Sequence, residues 1–209
     1  MFHTLYWSGR AGSLAPLCLL IESGIRHETV QVDTRLHAHK KEAYLRDVHP
    51  LGTVPALRLP DGRVLRESGA MILHVAELAP DLAPAPGSLE HAVFLDWVLY
   101  GAATLYPTCQ RIYHTDDIVP EDSARAATRQ VAIAALDRCW QVVEADLSED
   151  APFLFGARPG AADVYLAMLA HWHPEPGRLA QACPKTAKLR SQVWEMPAMR
   201  QALDLHGIG

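Results

Sequence analysis

A chain of 209 residues, 49% hydrophobic and 21% charged, has the composition of an ordinary globular protein and is long enough to bury a core of useful size. Its formal net charge of −5 argues against a nucleic acid or an anionic membrane surface as partner, since either would favour a basic face. Cys18, Cys109, Cys139 and Cys183 are widely spaced and form no CxxC pair, so a reducing, cytoplasmic setting without structural disulfides is expected. The first residues lack the pattern of a signal peptide, and no apolar run approaches the ~20 residues that span a bilayer.

Residues 4–7 read as a short strand, followed by the loop Ser8-Gly9-Arg10-Ala11-Gly12, whose glycines permit unusual backbone angles. Leu14, Leu17, Cys18 and Ile21 then fall at helical spacing. Ser13 is a natural N-cap for that helix, Pro16 is tolerated in its first turn, and Gly24 stands where it would stop. Residues 27–33 alternate as a second strand, with Val30 and Val32 expected inward. The polar, basic stretch 34–48 reads as a loop and an irregular helix. Segments 54–59 and 63–66 flank the turn signal Pro60-Asp61-Gly62-Arg63 and predict a hairpin; helical periodicity covers 67–78.

Strand, helix, strand, helix, hairpin, helix is the order of an α/β domain with a mixed sheet, placed at 1–79. Residues 80–88 (PDLAPAPGS) read as a linker. The remainder, 89–209, shows no strand alternation and reads as an all-helical domain, with helices predicted at 89–114, 121–147, 161–172, 178–190 and 197–205.

Three segments carry candidate chemistry. In Val48-His-Pro-Leu-Gly-Thr-Val-Pro-Ala-Leu, the Val54-Pro55 dipeptide enters a strand and is a candidate cis peptide bond. A cis bond there would turn the backbone N–H and C=O of Val54 toward an extended peptide ligand; a trans turn proline is the other reading. In Arg66-Glu67-Ser68-Gly69-Ala70-Met71-Ile72 a helix begins, where free N–H groups and the helix dipole favour a carboxylate. Ser68 would donate to that carboxylate and Glu67 would pair with an ammonium, which suits an amino-acid end; a helix cap without ligand is the alternative. In residues 8–13, a hydroxyl at the start of the first helix would donate to a ligand thiolate. Lowering a thiol pKa by about two units corresponds to about 2.7 kcal/mol, within reach of one charged hydrogen bond plus the dipole. Read alone, Ser13 is a plain N-cap.

Together these segments resemble the glutathione transferase superfamily. The matching stretches are Leu5-Tyr-Trp-Ser with Ser13-Leu-Ala-Pro, then His49-Pro-Leu-Gly-Thr-Val-Pro-Ala-Leu, then Glu67-Ser-Gly-Ala-Met-Ile. In the second half, Phe153-Leu-Phe-Gly-Ala-Arg-Pro-Gly-Ala-Ala-Asp163 is similar to the opening of the family's buried sixth helix, and Met196-Pro-Ala-Met-Arg-Gln-Ala-Leu to its closing helix. The resemblance is closest to the bacterial beta class, with departures. Gly12 stands where that class carries cysteine, Trp7 where it carries tyrosine, and Tyr106 where a histidine faces the thiol. Gly160 replaces the Ser or Thr that opens the sixth helix, so only Asp163 of a reciprocal capping pair remains.

The resemblance implies a thioredoxin-like N-terminal domain with cis Pro55, followed by the all-helical domain. It implies glutathione as co-substrate with no permanent cofactor: Val54 on its cysteinyl unit, Glu67 and Ser68 on its γ-glutamyl end, and residues around Arg35 to Lys40 near its glycine carboxylate. With the beta-class cysteine absent, Ser13 is the first candidate to activate the thiol, Tyr106 a second donor and Ser8 the reserve. A small hydrophobic electrophile would sit in a cleft near Trp7, Tyr106, Arg111 and Tyr113. The implied activity is glutathione transfer in a detoxifying homodimer. The alternatives are a glutathione- or protein-binding module with little turnover, and glutathione-dependent reduction of disulfides or peroxides.

Other features are read as structural. His37 with His39, and His171 with His173, are spaced i, i+2 and suit a metal poorly. Cys18, Cys109, Trp97, Trp140, Trp172 and Trp194 are assigned to the core, and Lys40-Lys41-Glu42 to solvated surface.

Overall fold

The computed structural model describes residues 2–151 and 153–208; Met1, Pro152 and Gly209, which fall within the expected domains, lie outside the described residues. The chain divides into two compact units, Met1–Ala83 with Trp194–Gly209, and Pro84–Val193.

The first unit is built on a four-stranded mixed sheet of order β2-β1-β3-β4, the thioredoxin-like arrangement expected. β1 (His3–Trp7) runs parallel to β2 (His27–Gln31) and antiparallel to β3 (Ala56–Arg58), which pairs antiparallel with β4 (Val64–Leu65). The period of two buries His3, Leu5 and Trp7 on one face of β1. α1 (Leu14–Glu22) is apolar almost all round, as a helix covered on several sides must be; it packs against α3 (Ser68–Leu78) and α11 (Pro197–His206). Gly24, at φ +65, ends it as expected. The polar stretch after β2 holds a short 3₁₀ turn, Ala38–Lys40, and α2 (Glu42–Asp47).

Two expectations for this unit are corrected. Val30 is 42% exposed rather than inward, because β2 is an edge strand; Val32, just past its end, does turn in, against Tyr44, Val48 and Ala56. Ser13 occupies the N-cap position of α1 but makes no side-chain cap, since its backbone is already helical at φ −76, ψ −12 and its hydroxyl is used elsewhere.

The second unit is helical: α4 (Leu89–Tyr100), α5 (Tyr106–Tyr113), α6 (Thr115–Ile118), α7 (Asp122–Asp146), α8 (Ala161–His171), α9 (Pro176–Ala182) and α10 (Pro184–Trp194, whose last residue is grouped with the first unit). The single helix expected over 89–114 is interrupted by a widened π-type turn at Gly101–Leu105. Pro107 has no N–H for the carbonyl of Ala103, which favours that change of pitch. Gly101 leaves room there for the Tyr165 ring, which an added Cβ would approach to 2.9 Å. The helix expected over 178–190 is likewise two, because Pro184 disfavours helical geometry at Cys183 (φ −137, ψ 67).

α8 is buried from Ala161 to Ala170, and Asp163 secures its start. Its Oδ2 accepts the Gly160 N–H at 2.8 Å and its Oδ1 the Leu154 N–H at 3.0 Å. Burial pushes its pKa up to about 6, against the lowering effect of those two N–H groups. Cys18 and Cys109 are core residues, as are Trp97 and Trp140; Trp172 and Trp194 are half-buried. No described helix is long and apolar enough to cross a membrane.

Candidate functional site

The pairing frame of the sheet brings the three candidate segments to one end of it. Between β1 and β3 the partners are Thr4 with Arg58, Leu5 with Leu57 and Tyr6 with Ala56; two further steps set Ser8 opposite Val54. Between β3 and β4, Leu57 pairs with Leu65 and Arg58 with Val64; the same frame carried outward sets Val54 opposite Ser68. β1 ends, β3 begins and β4 ends at this same edge of the sheet, so Ser8, Val54 and Ser68, which lie just beyond those strand ends, are read as one row there. Strands lie about 4.8 Å apart, so the row spans about 10 Å, roughly the reach of a tripeptide.

In the middle of the row, the Val54-Pro55 bond is cis. Among the described residues, neither the N–H nor the C=O of Val54 has a hydrogen-bond partner. The loop leading to it is organised by His49, a role the sequence reading missed. Its Nδ1 accepts the Leu51 N–H at 3.2 Å, which leaves the proton on Nε2, 2.8 Å from the Thr53 hydroxyl. Burial, then Arg66, lowers the His49 pKa, in keeping with that neutral tautomer. The Tyr44 hydroxyl holds the Thr53 carbonyl at 2.8 Å, and Gly52 turns the chain at φ +60. The signal available in the sequence was the His49-Pro50 pair within the quoted segment.

At one end of the row, Glu67 has an extended backbone (φ −97, ψ 129) and an exposed side chain, whose carboxylate acts on the His49 ring through its charge. Ser68 opens α3 and is buried. The first turn of this eleven-residue helix presents its dipole to the same end of the sheet.

At the other end stand the two serines. Ser8 is 7% exposed, and its Oγ lies 3.0 Å from the Thr34 hydroxyl. Ser13 is 0% exposed; its hydroxyl donates to the Ser8 carbonyl at 3.2 Å and lies 3.4 Å from His206 Nε2. Trp7, 5% exposed, stacks on the His206 ring with centroids 5.1 Å apart. Of the basic stretch after β2, Lys40 donates to the Leu51 carbonyl at 3.0 Å, whereas Arg35 is exposed with no side-chain partner among the described residues.

Tyr106, Arg111 and Tyr113 belong to the second unit. Tyr106 meets Trp172 edge to face at 5.0 Å, and the Tyr113 hydroxyl donates to the Trp172 carbonyl at 2.7 Å. Arg111 lies on the exposed side of α5. Of the histidine pairs, His173 donates to Asp137 at 3.1 Å, and the rings of His37 and His39 stack with centroids 6.1 Å apart.

A family model described as the glutathione S-transferase N-terminal domain matches residues 13–78. The glutathione S-transferase GstA of Escherichia coli O157:H7 is 28% identical over 207 residues, 98% of either chain. The crystal structure of a glutathione transferase from Methylococcus capsulatus str. Bath is 30% identical with a TM-score of 0.84, covering 99% of this chain and 100% of its own. A glutathione transferase homolog from Sulfitobacter, solved with bound glutathione, is 26% identical with a TM-score of 0.86, covering 100% and 99%.

Proposed function

The chain belongs to the glutathione transferase superfamily, and on that premise we propose that it binds glutathione along the row Ser8, Val54, Ser68 and offers its thiol as a nucleophile to a small apolar electrophile. The observation that carries this reading is the row itself: a peptide unit at Val54 without a hydrogen-bond partner among the described residues, with a helix start beyond one neighbouring strand end and a hydroxyl beyond the other. The main chain of Val54 pairs with the cysteinyl unit as a neighbouring strand would. Ser68 and the α3 dipole take the γ-glutamyl carboxylate, Glu67 takes the ammonium, and Arg35 reaches the glycine carboxylate.

The thiol faces the β1–α1 loop. Of the candidate hydroxyls, Ser8 is favoured as its partner: its Oγ lies 3.0 Å from the Thr34 hydroxyl, either of which can donate, and when Thr34 donates the Ser8 proton is free for the sulfur. Ser13 is enclosed with its own proton on the Ser8 carbonyl and supports the loop. The thiol proton passes to solvent and the thiolate forms the new C–S bond; a halide departs with its electron pair, whereas an opened epoxide keeps the pair on oxygen and an isothiocyanate on nitrogen, each then taking a proton from solvent. Trp7 remains the proposed neighbour of the electrophile, and a cytoplasmic, detoxifying homodimer the proposed setting. Calorimetry with glutathione and a panel of aryl halides, epoxides and isothiocyanates test the proposal; micromolar to millimolar uptake with conjugation is expected, and no uptake overturns it.

Glutathione binding with little turnover is the second reading. It is favoured by Gly12, which supplies no thiol, and by the enclosure of Ser13. Uptake without a depressed thiol pKa would select it.

A further inference from the structure

His206, on the last turn of α11, lies 193 residues from Ser13 in sequence and touches the β1–α1 loop at three places that bracket Ser8. Its ring stacks on Trp7, its Nε2 lies 3.4 Å from Ser13 Oγ, and its carbonyl sits where a Cβ on Gly9 would come to 3.1 Å. The residue is 3% exposed, and its Nδ1 is buried with no partner among the described residues.

Proton accounting fixes the tautomer. Ser13 has one hydroxyl proton, and it goes to the Ser8 carbonyl. The contact between Ser13 Oγ and His206 Nε2 is then attractive only with the proton on Nε2. That leaves Nδ1 as a bare lone pair, less costly to bury unpaired than an N–H would be. A charged ring would put an unpaired N–H at that position, and burial alone lowers the His206 pKa to about 4.

We propose that His206 is a positioning residue for the thiol end of the site: its neutral Nε2–H donates to Ser13, Ser13 donates to the Ser8 carbonyl, and this chain holds the Ser8 hydroxyl in line with the incoming sulfur. The proposal rests on the glutathione reading above. It assigns to α11, which makes no part of the row Ser8, Val54, Ser68, the job of setting that row's first member.

The test uses the full chain. Nitrogen-15 imidazole NMR without glutathione is expected to show His206 as the neutral Nε2–H tautomer at pH 7 and still neutral at pH 5; the Nδ1–H tautomer overturns the proposal. His206→Phe keeps an aromatic ring against Trp7 and removes the donor, while His206→Gln places an amide N–H near the Nε2 position. In the glutathione complex, His206→Phe is expected to raise the pH midpoint of thiolate absorbance by about one unit. Conjugation should fall about tenfold at pH 7, in kcat rather than in KM for glutathione, and His206→Gln should restore most of both. Equal midpoints in wild type and His206→Phe, or equal damage by both variants, overturn it. Should the wild type take up no glutathione, the parent reading fails. The clamp is then decided by the tautomer and by amide exchange over residues 8–13, which it requires to be slower in wild type than in His206→Phe.

Discussion

The hydroxyls of Ser8 and Thr34 share one hydrogen bond of 3.0 Å, in which either oxygen can be the donor. With Thr34 as donor, Ser8 is left with a proton for a thiolate. A hydrogen bond to a charged group contributes about 1.5–3 kcal/mol, so Ser8→Ala is expected to lower kcat/KM for conjugation about 10- to 100-fold and to raise the bound thiol's pKa. Thr34→Val should shift both in the same direction by less. Ser13→Ala removes the support of the Ser8 carbonyl and is expected to lower the melting temperature by several degrees. Steady-state kinetics with thiolate titration checks the ranking; a larger pKa rise in Ser13→Ala than in Ser8→Ala would reverse the assignment of the donor.

Among the described residues, Asp163 is the sole acceptor for the Gly160 and Leu154 N–H groups at the head of buried α8. Asp163→Ala strands both donors, and each buried unsatisfied group costs about 1–3 kcal/mol. A loss of about 2–4 kcal/mol is expected in urea unfolding. Asp163→Asn should recover part of it, because its amide oxygen can still accept one of the two N–H groups.

The fold weakens in mild acid through its histidines. In the native state His206 titrates at about 4, against 6.5 for the free side chain. Above pH 6.5 the ring is neutral in both states and its contribution to stability is complete. As pH falls from 6.5 toward 4 the unfolded chain takes up the proton first, so stability drops by about 3 kcal/mol in all; below 4 this group adds no further loss. Burial lowers His3, His49 and His74 in the same direction. Asp163, raised to about 6, opposes them, favouring the fold as pH falls from 6 toward 3.8. Urea midpoints at pH 7 and pH 5 measure the balance, and His206→Gln should show the smaller difference between them.

Gly52 and Gly24 offer a matched pair. Both have positive φ, +60 and +65, but a Cβ on Gly52 would lie 2.5 Å from the His39 carbonyl oxygen, while one on Gly24 would meet nothing within 4 Å. Gly24→Ala is expected to cost about 1 kcal/mol from backbone conformation alone. Gly52→Ala adds a backbone clash two residues before Val54, so a loss above about 2 kcal/mol and weaker glutathione uptake are expected by melting and calorimetry.

Much of this was legible in the residues because it is local. Alternation marks β1, Pro60-Asp61-Gly62-Arg63 turns the hairpin, Gly24 stops α1, and Glu67-Ser68 begins α3. Periodicity failed where a single residue changes the pitch. Pro107 and Pro184 were compatible with continuous helices by pattern, yet each removes an N–H and accompanies a break. Val30 alternates correctly, but alternation does not say that β2 lies at the edge of the sheet.

The sequence by itself determined the elements, their order and the segments that hold the candidate site, since backbone preference and apolar spacing act over a few residues. Only the tertiary structure distinguished the two candidate serines by their surroundings. Ser8 and Ser13 are the same residue type, and Ser13 is the one placed to cap the helix. They differ because α11 returns from the far end of the sequence and encloses Ser13 beneath His206, while Ser8 keeps Thr34 as its partner. Burial and long-range hydrogen bonding are properties of the packed molecule, and no short window of residues contains them.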